Sequence, residues 1–155
     1  MTTASPARAR RIRTWSLAAA VVLLAALVLT SCPDLRDGTP GQLFRAEQEA
    51  ESAARSAALA LDLLNRERST AALASVAVSD ARDEVVKAFE TVSGTGVDDA
   101  TDLTRQSLLT NSMSKIIDQL DTAEATLNRV DTGQSPKSLQ QALTASADAL
   151  ATSYR

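Results

Sequence analysis

The sequence predicts an all-α protein, an antiparallel bundle of three to four helices with a long first arm. Three observations carry this. Apolar residues recur at alternating steps of three and four, a spacing that stacks them on one helical face. Alanine supplies 29 of the 155 residues, against five glycines and four prolines, and that balance favours helix. No run of alternating β-branched residues competes anywhere along the chain.

Residues 32–40 are polar and hold Pro33, Gly38 and Pro40, so they read as a tether. Thr39-Pro40-Gly41-Gln42 then opens a helix, with Thr39 as cap, Pro40 in the first turn and Gln42 as capping-box partner. No glycine or proline follows until Gly94. Leu43, Ala46, Ala50, Ala53, Ala57, Ala60 and Leu64 form one seam, and Ala71, Ala74, Val78, Ala81, Val85, Ala88 and Val92 form a second. The two share a register if Glu67 fills the missing place, and Leu59, Leu61, Leu63, Leu73, Val76, Val86 and Phe89 are expected to widen the stripe. Residues 41–93 are thus one long helix or two helices meeting near 65–70. No residue there forces a break, so continuity or a mild kink is the expectation, with Ser69 as N-cap if the chain turns.

Asp98 or Asp99 caps a helix over 99–131, whose seam is Leu109, Met113, Ile116, Leu120, Ala123, Leu127 and Val130. Gly133 ends it. Ser135 and Pro136 open a last helix over 136–154, with Leu139, Leu143, Ala147, Leu150 and Tyr154 on its apolar face. Large core residues such as Ile116, Ile117 and Leu120 gather in the second half, while alanine dominates the first arm. The half of that arm nearer residue 41 is expected to be the less stable part or to gain from a second chain, as in a coiled-coil homodimer along that seam.

Charge divides the chain in two. Arg8, Arg10, Arg11 and Arg13 lie ahead of the first acid, Asp34, whereas twelve basic and nineteen acidic residues follow position 32, a net −7. Such a body is a poor match for nucleic acid, where binding rewards neutralised phosphates. The absence of histidine and the single cysteine exclude an internal disulfide, a thiolate zinc cluster and His-activated nucleophiles. No metal, cofactor or enzymatic activity is therefore expected.

The arginines precede an apolar run, Leu17 to Leu29, whose length suits a signal-peptide core better than a span of about 20 residues. Leu29-Thr30-Ser31-Cys32 follows directly and resembles the lipobox of bacterial lipoproteins. The resemblance implies lipid, with palmitate among its chains, on the Cys32 sulfur and cleavage between Ser31 and Cys32. Residues 1–31 are then a signal peptide, and residues 41–155 a helical domain held on the extracytoplasmic face of the cell membrane.

Four motifs invite chemistry. Ser112-Met113-Ser114-Lys115 resembles the nucleophile motif of penicillin-recognising enzymes, but its partner motifs are absent and Met113 belongs to the apolar seam. Asp98, Asp99 and Asp102 lack the alternation of a calcium loop and read as helix caps. Glu47, Glu49 and Glu51 read as a solvated helix face, with Glu51 four residues before Arg55. Arg66-Glu67-Arg68 interrupts the seam and reads as a register layer, a turn or a polar interaction patch. It also resembles a stretch in extracytoplasmic helical sensor domains that bind nitrate-like anions. Two functions follow: a lipid-anchored envelope protein presenting a helical surface to a protein partner, or a bundle binding a small anion near Arg66 and Arg68.

Overall fold

A computed structural model describes residues 38–153. Among them run four helices and no strand: α1 (Thr39–Asn65), α2 (Ala71–Gly94), α3 (Ala100–Leu127) and α4 (Pro136–Ser153). Connections of five to eight residues leave each helix antiparallel to the next. α1 packs on α2 and α4, α3 packs on the same two, and α1 also touches α3 across the centre, while α2 and α4 do not meet. The all-α bundle expected from the spacing is therefore the fold. Leu29 to Cys32, most of the tether and Tyr154 lie outside the described residues.

The expected continuity across residues 65–70 does not hold, because the chain reverses there. The Glu67 N–H donates to the Leu64 carbonyl at 3.0 Å and the Arg68 N–H to the Leu63 carbonyl at 2.8 Å. These are the two bonds of a Schellman cap, with Glu67 at φ 57 in the left-handed position that glycine normally fills. Glu67 is therefore a pivot and no seam residue. Thr70, and not Ser69, caps α2, its Oγ1 accepting the Leu73 N–H at 3.2 Å. α3 ends the same way at Leu127, short of residue 131. Arg129 sits at φ 64, its N–H bonded to the Thr126 carbonyl, and the Val130 N–H reaches Ala125. No glycine marks either stop, so no residue type in the sequence forces the chain to end a helix there.

The start of α1 also differs. Gly38, at φ 126, occupies the cap position and its carbonyl accepts the Gly41 and Gln42 N–H groups. Thr39 is left to donate to the Gly96 carbonyl, and Gln42 accepts from the Thr95 hydroxyl at 3.2 Å. Both tie the start of α1 to the α2–α3 loop. Asp99 caps α3 by accepting the Thr101 and Asp102 N–H groups at 2.9 and 3.4 Å.

The core divides by residue size. α1 buries Leu43, Leu61 and a line of alanines between them, and α2 buries the expected seam from Ala74 to Val92. Ala60 and Leu64 give way to Leu61, because a straight helix drifts about 20° per heptad from a strict seven-residue repeat. α3 and α4 supply Leu109, Met113, Ile116, Leu120, Leu139, Leu143 and Leu150, all essentially inaccessible. Each large side chain contributes about 1.5–3 kcal/mol through burial, and an alanine far less. Glu47 departs from the solvated face expected for it, being only 4% exposed.

Candidate interaction surface

Part of the stripe expected to widen the core of the first arm does so, with Leu61 buried and Phe89 packed against the core, but the rest turns outward. Leu59, Leu63, Leu73 and Val76 are 58%, 36%, 64% and 57% exposed. Helical geometry gathers them. Leu59 and Leu63 are four residues apart on α1, Leu73 and Val76 three apart on α2, and each pair lies on one helix face. Both pairs sit beside the 66–70 turn, at the end of the bundle away from residue 38. Farther along the same hairpin, a shallow groove of about 500 Å³ is lined by Arg45, Gln48, Glu49 and Ser52 of α1 with Glu84 and Lys87 of α2. No ion pair reaches Glu49, Glu84 or Lys87 among the described residues.

The other faces of the bundle are stitched together. Arg55 bonds Glu51 at 2.9 Å within α1 and Asp148 of α4 at 3.0 Å. Its pKa is raised, first by the hydrogen bond to Glu51 and then by the two carboxylate charges. Arg82 holds Asp121 and so ties α2 to α3, and that hydrogen bond raises its pKa in turn. Gln106 of α3 donates to the Val92 and Thr95 carbonyls at 2.6 and 3.0 Å, satisfying the end of α2. Sequence reading missed Gln106, since a glutamine on an exposed-looking helix face carries no signal of the backbone it will meet.

The Arg66-Glu67-Arg68 patch is brought together as backbone but not as a set of converging side chains. Arg66 folds back onto Asp62 at 2.9 Å, while Glu67 and Arg68 are exposed with no side-chain ion pair among the described residues. A groove of about 300 Å³ beside Arg66 is shared with Arg55, Leu59, Asp62 and Gln140. The Asp62 carboxylate already answers the one guanidinium lining it that comes from the patch. Ser112 is half-buried and Lys115 exposed, and no hydrogen bond joins them. Asp99 holds a carboxyl pKa below the usual range, chiefly through the hydrogen bonds it accepts from Thr101 and then from the Asp102 N–H. It is a helix cap.

Cys32 and Ser31 lie outside the described residues. Within them, no helix is long and apolar enough to cross a membrane. Comparison of the chain with protein-family models, with curated proteins and with solved structures finds no match.

Proposed function

We propose that this chain is a lipid-anchored envelope protein that presents the outer face of its α1–α2 hairpin to a protein partner. One observation supports the presenting role above the rest: Leu59, Leu63, Leu73 and Val76 stand in solvent while the alanines of the same two helices fill the core. A hairpin folding for itself alone gains most by burying its largest apolar groups, so the reversed arrangement favours a second surface that covers them. The anchor rests on the basic, apolar and lipobox-like succession ending at Cys32. With residues 1–31 removed, only the 32–38 tether separates the lipid from α1. The 66–70 turn lies about 40 Å from Thr39 along a 27-residue helix.

Labelled palmitate fed to expressing bacteria tests the anchor. Incorporation that vanishes in Cys32→Ala, with a mature mass beginning at Cys32, is the expected result. Label that persists in Cys32→Ala, or a mature mass that keeps residues 1–31, contradicts it.

A further inference from the structure

We infer that the partner covering the α1–α2 face is a second copy of this chain, packed side by side and parallel about a two-fold axis along the bundle. The inference rests on the presenting role proposed for that face and names its occupant. Heights along the two helices carry it. The bond between Thr95 and Gln42 at one end, and the turn between Asn65 and Ala71 at the other, fix which residues of α1 and α2 lie level. Leu63 lies level with Leu73, Leu59 with Val76, and Glu49 with Lys87, each to within about one helical rise or two.

A two-fold axis along the bundle preserves height and sets α1 of one chain against α2 of the other. Leu63 then meets Leu73 of the second copy, Leu59 meets Val76, and Glu49 meets Lys87. Each apolar residue finds an apolar one, and each of these unpaired charges finds its opposite. A two-fold axis across the helices reverses height: level with the leucines it pairs only that end of the face, and at mid-height it sets Leu59 near Arg45 of the second copy. Only the parallel arrangement matches both the apolar and the charged pairs along the whole face. Its size is also sufficient. A face about 40 Å long and two helices wide offers roughly 800 Å² per chain, the area of a stable interface. Parallel pairing leaves both residue-38 ends on one side, as two chains rooted in one membrane require.

The test compares masses of the full chain in detergent by sedimentation equilibrium. Association through lipid or micelle is common to every variant, so differences among variants read the face alone. The parent is expected to dimerise at tens of micromolar. Leu73→Glu, at an exposed site, should weaken the dimer at least about tenfold with its circular dichroism unchanged. Glu49→Lys and Lys87→Glu should each weaken it as well, and an equimolar mixture of the two should recover it. In the mixed pair, the two substituted positions face each other with opposite charges, and the native Glu49 of one chain meets the native Lys87 of the other. A monomeric parent, a mass insensitive to all three substitutions, or a mixture no tighter than its components overturns the second copy as partner. Palmitate labelling at Cys32 is read independently, so that result leaves the anchor to stand or fall by its own test.

Discussion

The two hairpins of this bundle solve the same packing problem with opposite materials. α3 and α4 hide Leu109, Met113, Ile116, Leu120, Leu139 and Leu143, and their core explains their folding. α1 and α2 hide mostly alanine and valine and leave Leu59, Leu63, Leu73 and Val76 outside. Small buried residues let α1 approach both neighbours closely and touch α3 across the centre. The cost is a seam that contributes less burial free energy per residue. The first hairpin thus fills its seam with small residues and carries four large apolar ones on the outside, while α3, despite its large buried residues, also exposes Leu103 and Leu108 at 50% and 52%.

The largest effect should come from the core of the second hairpin. Leu120→Ala removes a fully buried side chain and should cost about 3 kcal/mol in urea unfolding. In the first hairpin the sensitive change runs the other way. Ala53 has no room to grow, so Ala53→Leu should destabilise by about 2 kcal/mol, and a neutral result would mean the alanine seam is loosely packed. The caps at the turn come next. Thr70→Ala should lose about 1 kcal/mol, whereas Glu67→Gly, which relieves a left-handed backbone, should gain about as much by the same assay.

The smallest effect is one of pH. The folded carboxyl of Asp99 has a lowered pKa, so its contribution is complete above the ordinary carboxylate value of about 4. It is lost as pH falls through the folded value. Asp99→Asn keeps the cap and removes that dependence. Melting temperatures of parent and variant should therefore differ most near neutral pH and converge as pH falls through the lowered folded value.

Much of this fold was legible in the residues, and the failures share a cause. Most of the seams of α2, α3 and α4 followed from spacing, because burial on one helical face dictates it, but Ala71 is exposed and Val130, past the end of α3, is 57% exposed. The break at 66–70 was legible only as the alternative to a continuous helix, since the chain stops α1 with Glu67 in a conformation usually left to glycine. Arg129 hides the end of α3 in the same way. The outward face escaped for a different reason. Leu59 and Leu73 fit a widened stripe as well as an exposed one, and only the positions of the neighbouring helices decide between them. Arg66-Glu67-Arg68 was singled out correctly as an interruption of the seam, and the structure uses it as a cap.

The proposed role requires that the outer α1–α2 face meet protein. A photoreactive phenylalanine analogue placed at position 73 of the full chain in its native membrane, with position 115 on exposed α3 as control, tests this most directly. Irradiation should yield a protein adduct from position 73 and none from position 115. Adducts from position 115 with none from position 73 would contradict it.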